Sequence, residues 1–508
     1  MRMASRGAHS ALCSLRGAAG ASQATARARA GEARPRGGWR RQPAHWRLRA
    51  ATLATEADAG QAEPPQLGNV VDVLKERGLL FQCTDEEGLR EAASSGALRV
   101  YCGFDPTADS LHLGNLLGIL VLAWFQRCGH APVALLGGAT GRVGDPSGKS
   151  AERPMLDEAT LEANTAGIRA ILERLLERNG SETGSSAASS TAGEVLNNID
   201  WFGSMGFLEF LREIGKYARV GTMLAKDSVR TRMEADGDGM SYTEFTYQLL
   251  QGYDFVHLQK EHGVSVQAGG SDQWGNITAG TDLVRRLLGS ETEPAPPAFG
   301  VTFPLLTKSD GKKFGKSEDG AVWLAPERLS PYKFYQHLFA TTDADVCKFL
   351  RMLTFLPLAE VEQIEAEMQA EGYKPNTAQK RLAEEVTRFV HGADGLAQAL
   401  KATEGLRPGS DTELDAATLE AIKEDVPGAL LAKEDVFGQP LVDVLVAAGL
   451  QKSKGAARKL IQGGGVRVNN QKVTEVDRTV QPEDVFGGTL MLLSSGKKNK
   501  LLVQVVEA

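Results

Sequence analysis

The stretch LRVYCGFDPTADSLHLGN, residues 98–115, decides the fold. Residues 98–104 are mostly apolar or aromatic and read as a strand. Asp105-Pro106 breaks that strand, and the apolar run 111–128 reads as a helix. Residues 132–136 (PVALL) then read as a second strand, running into Gly137-Gly138. Strand, helix and strand in this order predict a βαβ unit and a parallel sheet. Open α/β sheets bind ligands at the carboxyl ends of their strands, which places 105–115 at the site. Helix N-terminal N–H groups there favour phosphate, and Thr107, His112 and Asn115 add side-chain donors. Gly103 and Gly114 would let a flat base or ribose approach the backbone. Taken alone, His112 could equally cap a helix.

Outward from this unit the pattern continues. Ser241-Tyr242-Thr243-Glu244 has capping-box spacing and opens a helix to about Leu258. A strand over 264–268 ends in Gly269-Gly270-Ser271, and another is expected over 302–307. Residues 326–395 read as helical. The stretches 180–193 and 291–298 look like peripheral insertions. The expected organisation is a Rossmann-like catalytic domain over 69–317, an α-helical domain over 318–404, a linker over 405–438 and a small α+β tail domain over 440–508.

The net charge of -7 hides an asymmetry. Residues 1–50 hold eleven Arg and one acid, Glu32, which leaves a balance of -17 for the remainder. A basic, Ala/Arg/Ser-rich and acid-poor start predicts an organellar transit peptide over about 1–60. A body this acidic limits nucleic-acid contact to local basic patches. One such patch lies between Lys452 and Lys472, where Lys452, Lys454, Arg458, Lys459, Arg467 and Lys472 occur with no acid. The apolar run 116–125 is too short to cross a bilayer. The five cysteines form no C-x-x-C pair, so neither a disulfide framework nor a metal site is expected.

A second chemical element is Lys312-Lys313-Phe314-Gly315-Lys316-Ser317, whose glycine-flanked lysines suit a lid over phosphates. Between the two elements, Tyr247, Gln251 and Asp254 are spaced four and three apart and share one helix face. A Tyr hydroxyl and an Asp acceptor can bracket a phenol, whereas a buried polar face without such a ligand is costly.

YCGFDPTADSLHLGN (101–115), GGATGRVGDPSGK (137–149), YQLLQGYDF (247–255), QAGGSDQWGNI (267–277) and KFGKS (313–317) together resemble the tyrosyl-tRNA synthetases of bacterial type. The H-x-G-N and K-F-G-K-S elements are similar to the HIGH and KMSKS signatures of class I. The resemblance runs collinearly from about residue 69 to the C-terminus. It implies that Tyr101 and Asp254 meet the phenolic OH of tyrosine. Tyr247, Gln251 and Asp145 would hold the amino group, with Gln267 and Gln273 at the carboxylate end. Gly270 and Asp272 would meet the ribose, and Gly103, Asp105, Thr107, His112 and Asn115 the rest of ATP. Lys149, Arg153, Lys313 and Lys316 match pyrophosphate-binding positions. Asn115 departs from the family by replacing the second His of HIGH. The tail resembles the S-four-type RNA-binding domain.

The resemblance further implies tyrosine, ATP with Mg²⁺ and tRNA as substrates, no organic cofactor, a homodimer, no membrane association, and a place in mitochondria, chloroplasts or both. Two rivals are a tryptophanyl-tRNA synthetase, which lacks the Tyr101/Asp254 arrangement, and a retired synthetase acting only on RNA. Retention of His112, Asp254 and the Lys313/Lys316 pair speaks against the second.

Overall fold

A computed structural model describes residues 67–147, 155–182, 191–234, 239–317, 320–423, 426–496 and 499–507, with only the backbone at Lys316 and Ser317. The expected transit peptide, Lys149, Arg153 and the Lys316 side chain fall outside these limits.

The main sheet has six strands: β1 (Gln82–Cys83), β2 (Arg99–Phe104), β3 (Ala131–Leu136), β4 (Glu194–Asn197), β5 (Val266–Gly270) and β6 (Phe299–Phe303). Their order is β1-β6-β5-β2-β3-β4, parallel except for the short edge strand β1. The chain leaves β2 in one direction through β3 and β4, then returns to β5 on the other side of β2. That reversal opens a crevice at the carboxyl ends of β2 and β5, where such sheets take their ligands. The expected parallel sheet is therefore present, and its switch point coincides with the 105–115 segment.

The helix Leu113–Arg127 joins β2 to β3 and is buried nearly all round, because the helices Glu158–Glu182, Val70–Glu76 and Asp343–Leu353 cover what the sheet does not. At Gly118 an added Cβ would lie 3.1 Å from Cys102 Sγ and 3.3 Å from Phe303, so helix and sheet approach closely there. Ser241 caps the helix Tyr242–His262 by accepting from the Glu244 amide, as expected. The Glu244 carboxylate meets Arg232 in a buried ion pair at 3.0 Å. The helix runs four residues past Leu258 and stops at Gly263, with φ 65°.

The strand expected over 302–307 lies three residues earlier, as Phe299–Phe303. Pro304 offers no backbone donor and ends the ladder. The helical region comprises Pro331–Phe339, Asp343–Leu353, Leu358–Met368 and Thr377–Leu406, and its core is continuous with that of the sheet. The last of these is kinked at Gly392 (φ 79°). Arg178 from the helix Glu158–Glu182 donates to the Phe389 carbonyl at that kink. Beside it, His391 stacks edge-on to Phe334.

The stretch expected as a linker, 405–438, is structured. It carries the helix Ala416–Ala421 and the strand β7 (Gly428–Ala432). β7 is an edge of the tail sheet, which also contains β8 (Val466–Val468), β9 (Gln471–Val473), β10 (Leu490–Ser495) and β11 (Asn499–Val506). The order is β9-β8-β10-β11-β7, with β7 parallel to β11 and the other pairs antiparallel. The helices Leu441–Ala447 and Lys454–Gln462 cover one face of this sheet. Leu490, Leu492 and Leu502 on the other face pack against Ala402, Leu414, Leu419 and Ile422. Asn469 and Asn470 turn the β8–β9 hairpin with φ 49° and 68°, the left-handed pair that two-residue hairpins favour. No helix among the described residues is long and apolar enough to cross a membrane.

Candidate active site

A cavity of about 500 Å³ opens at the carboxyl ends of β2, β3 and β5. Of the expected tyrosine and ATP residues, all those whose side chains are described line it: Tyr101, Gly103, Asp105, Thr107, His112, Asn115, Asp145, Tyr247, Gln251, Asp254, Gln267, Gly270, Asp272, Gln273 and Lys313.

At one end β2 presents Tyr101, fully buried beside Phe255 with ring centroids 5.5 Å apart. Its hydroxyl has no partner among the described residues. Burial, and secondarily the charge of Asp254, push its pKa well above the ordinary phenol value. Asp254 accepts from the Trp201 indole N–H at 2.9 Å and from Asn198 Nδ2 at 3.1 Å. Burial raises its pKa well above the usual carboxylate range, against the pull of these two donors. With two lone-pair sites used, the carboxylate retains acceptor capacity for a phenolic O–H.

Asp105, at the end of β2, accepts from Tyr247 Oη at 2.8 Å and from Thr140 Oγ1 at 2.7 Å. Burial and the nearby Asp105 raise the Tyr247 pKa well above 10. Asn198 Nδ2 also donates to Thr140 Oγ1 at 3.0 Å, so one chain of hydrogen bonds joins Asp105 to Asp254. Gly137 is required beneath it, since a Cβ there would stand 1.9 Å from Asp105 Oδ1.

A second network surrounds Asp145, which accepts from the Ser147 amide at 2.9 Å and from Gln273 Nε2 at 2.7 Å. Buried Asn276 donates to Gln251 at 3.1 Å and to Gln273 at 3.2 Å. Asp145 and Gln273, expected at opposite ends of the amino acid, are thus directly bonded. Gln267 is buried in β5, and its Oε1 has no partner among the described residues.

His112 does cap a helix: its Nδ1 accepts from the Gly114 amide at 3.0 Å, while Asn115 Oδ1 accepts from the His112 amide at 3.1 Å. An accepting Nδ1 places the ring proton of a neutral imidazole on Nε2. Asn115 spends its carbonyl on the cap, so its NH₂ is the group it can offer a ligand. The two signature segments touch: a Cβ on Gly315 would lie 2.9 Å from the Gly114 amide nitrogen. Leu113 N donates to Val322 O at 2.7 Å, and Val322 N to Gly315 O at 3.1 Å. Phe314 anchors the lysine loop in the core, 4.3 Å from Phe349, and His337 bonds its carbonyl at 3.1 Å.

In the tail, Lys452, Lys454, Arg458, Lys459 and Lys472 are exposed. Arg467 differs from them. It is half-buried and donates to the Asn470 carbonyl at 2.9 Å; it also pairs with Asp411, as exposed Lys454 pairs with Asp443 at 2.8 Å. Trp201, Asn198, Thr140, Ser147 and Asn276 were not expected from sequence, although Thr140, Ser147 and Asn276 sat within quoted motifs. No group of side chains suited to holding a metal occurs among the described residues.

Comparison with known proteins agrees with this geometry. Residues 93–406 match the family of tRNA synthetases class I (W and Y), and residues 418–503 match the tyrosine–tRNA ligase SYY-like C-terminal domain. A chloroplastic/mitochondrial tyrosine–tRNA ligase of Arabidopsis thaliana is 58% identical over 86% of this chain and 84% of its own length. A tyrosine–tRNA ligase of Protochlamydia amoebophila is 53% identical over 86% of this chain and 99% of its own. Among solved structures, a C-terminally truncated mitochondrial tyrosyl-tRNA synthetase of Aspergillus nidulans superposes with a TM-score of 0.59. It shares 36% identity and is covered over 93% of its length by 66% of this chain. The chain belongs to the class I tRNA synthetases, in their tyrosyl branch.

Proposed function

We propose that the cavity activates tyrosine with ATP and passes the tyrosyl group to tRNA. A carboxylate oxygen of tyrosine attacks the α-phosphorus, the bond to the bridging β-phosphate oxygen breaks, and pyrophosphate leaves. The nucleophile is already ionised, so positioning and charge neutralisation carry the step. A ribose hydroxyl at the 3′ end of tRNA then attacks the activated carbonyl and releases AMP. The observation that carries this reading is the pairing of Tyr101 and Asp254 at one end of a cavity whose other end is the Gly114–Gly315 contact.

In this reading Tyr101 and Asp254 bracket the phenol, and Asp145, Gln251 and Gln273 face the amino-acid head with Tyr247 and Gln267. Thr107, His112 and Asn115 face the triphosphate, with Gly103, Asp105, Gly270 and Asp272 around the nucleoside. Lys313, Lys316, Lys149 and Arg153 neutralise the departing pyrophosphate. Mg²⁺ arrives with ATP as part of the substrate. The exposed basic residues of the tail contact tRNA phosphates.

We also infer a homodimer, because Phe207, Leu208, Val220 and Leu224 are exposed apolar side chains near one another in sequence and the family resemblance implies two copies. Residues 1–60 would deliver the chain to an organelle. Catalytic, helical and tail domains would occupy 69–317, 318–404 and the region from about 428 onward. The test of the central reading is tyrosine-dependent ATP–pyrophosphate exchange by the protein lacking residues 1–60. Exchange with tyrosine is expected, and none would sink the assignment.

A further inference from the structure

The helix Thr377–Leu406 ends against the tail. Its last carbonyls have no partner within the helix and must find donors elsewhere. The Gly405 carbonyl finds two, both from the tail: Asn470 Nδ2 at 3.0 Å and Lys500 Nζ at 2.5 Å. Asn470 Nδ2 also reaches the Thr412 carbonyl at 3.0 Å, and Asn470 Oδ1 accepts from Lys500 at 3.0 Å. Every polar atom of the Asn470 side chain is thus used on this contact, and the residue is 1% exposed. A Cβ at Gly405 would lie 2.5 Å from Leu414 Cδ2, so the helix end and the apolar seam approach closely there.

Arg467 works on the same side. It pairs with Asp411 and supports the Asn470 carbonyl. Beneath these polar contacts lies the apolar seam of Leu490, Leu492 and Leu502 on Ala402 and Leu414. The seam supplies adhesion, which is non-directional. Hydrogen bonds to main-chain carbonyls are directional and fix one angle.

We propose that the Asn469–Asn470 turn is a docking latch, which seats the tail on the carboxyl end of the helix Thr377–Leu406 and so sets the angle at which Lys452, Lys454, Arg458, Lys459 and Lys472 meet tRNA. The proposal rests on the reading of those five residues as phosphate contacts. Within it, Arg467 and Asn470 are positioning residues for tRNA. Cations suit the negative end of a helix dipole. Burial, with Arg467 close by, lowers the Lys500 pKa to about 8, which still leaves it mostly charged at neutral pH, so Lys500 and Asn470 hold the Gly405 carbonyl together.

The test uses Asn470→Gly in the full chain, because glycine keeps the positive φ of the turn and removes only the side chain. Tyrosine-dependent exchange should stay within about twofold of wild type, while kcat/KM for tRNA charging falls about tenfold with the loss of the three side-chain bonds. The backbone amides of residues 405–412 should exchange hydrogen for deuterium faster in the free variant. The logarithmic salt dependence of tRNA affinity should keep its slope, since no phosphate contact is lost. Lys459→Gln serves as the contrast, with a slope reduced by about one phosphate contact. Asp411→Ala, at a surface position, should give a smaller loss in the same direction and guards against a misfolded first variant. Wild-type charging by Asn470→Gly, unchanged amide exchange over residues 405–412, or a slope that falls as for Lys459→Gln would each overturn the latch. If a fourfold Gln variant at Lys452, Lys454, Arg458 and Lys459 leaves affinity and slope intact, the RNA reading fails and the proposal falls with it. Amide exchange over residues 405–412 would then still report the contact itself.

Discussion

Trp201 donates its indole N–H to Asp254 at 2.9 Å while its ring lies stacked on His257, with centroids 4.3 Å apart. The stack fixes the ring, and the ring fixes one oxygen of the carboxylate that, in the proposed reading, faces the tyrosine hydroxyl. Trp201→Phe keeps an aromatic ring for the stack and deletes the donor. We expect the preference for tyrosine over phenylalanine in pyrophosphate exchange to fall about tenfold, the worth of one buried hydrogen bond. An unchanged preference would show that Asp254 is held by Asn198 alone.

Gly315→Ala should act on the rate. The new Cβ would meet main-chain atoms of Gly114, which have no flexible end to yield. A displacement of the lysine loop by a fraction of an ångström misplaces its charges, at a cost on the order of a hundredfold in adenylate formation. Tyrosine affinity, set at the other end of the cavity, should change little. Equilibrium binding and single-turnover kinetics separate the two, and a large loss of tyrosine affinity would contradict the placement.

Lys313→Ala should likewise slow adenylate formation and leave tyrosine binding nearly unchanged, the pattern of a group that works in the transition state. A raised tyrosine dissociation constant with an intact rate would remove Lys313 from the pyrophosphate end.

His391 gives a pH signature. Burial, with Arg174 and Arg178 adding to it, lowers its pKa from 6.5 to about 3. Between those values the unfolded chain takes up a proton that the folded chain refuses. Its contribution to stability is therefore complete above about pH 6.5 and is lost progressively as pH falls toward 3. Thermal unfolding at pH 7 and pH 4.5 should show a smaller acid loss for His391→Gln than for wild type. Equal losses would mean that His391 is protonated in the fold.

Truncation should depend on where the cut falls. Ending the chain after Arg407 removes the whole tail, and we expect exchange to persist while tRNA charging is strongly weakened. Ending it before Pro440 leaves β7 without β11 and uncovers Leu414, Leu419 and Ile422. That protein should be markedly less soluble and unfold at lower temperature, as unpaired edges and apolar patches dictate. Charging by the shorter protein at the full-length rate would show the tail to be dispensable.

The strands and helix of 98–136 were legible because long apolar runs are punctuated by Asp105-Pro106 and Gly137-Gly138. The displaced β6 was legible in principle, since Pro304 marks its end. β7 was not legible. Its partner β11 lies some seventy residues on in a parallel ladder, so nothing local distinguishes it from a linker. The residues that touch ligand in this reading carry recognisable motifs. Those that hold them, such as Asn198 and Trp201, lie more than fifty residues from Asp254 and read as ordinary polar or aromatic positions. Arg467 was read with the basic patch because charge is visible in sequence, whereas its neighbour Asp411 is brought to it only by docking.

The chain from Asp105 through Thr140 and Asn198 to Asp254 runs in a fixed sense. Thr140 must give its proton to Asp105, so it can only accept from Asn198, whose amide nitrogen also serves Asp254. The Asn198 carbonyl is in turn occupied by the Ala139 amide at 2.6 Å, which forbids a flip of the amide. No member can rotate without orphaning two buried groups. The pocket wall is therefore already set before tyrosine enters, and the amino acid loses little affinity to ordering the protein around it. Such a wall acts as a rigid gauge: it measures the incoming side chain instead of moulding itself to it.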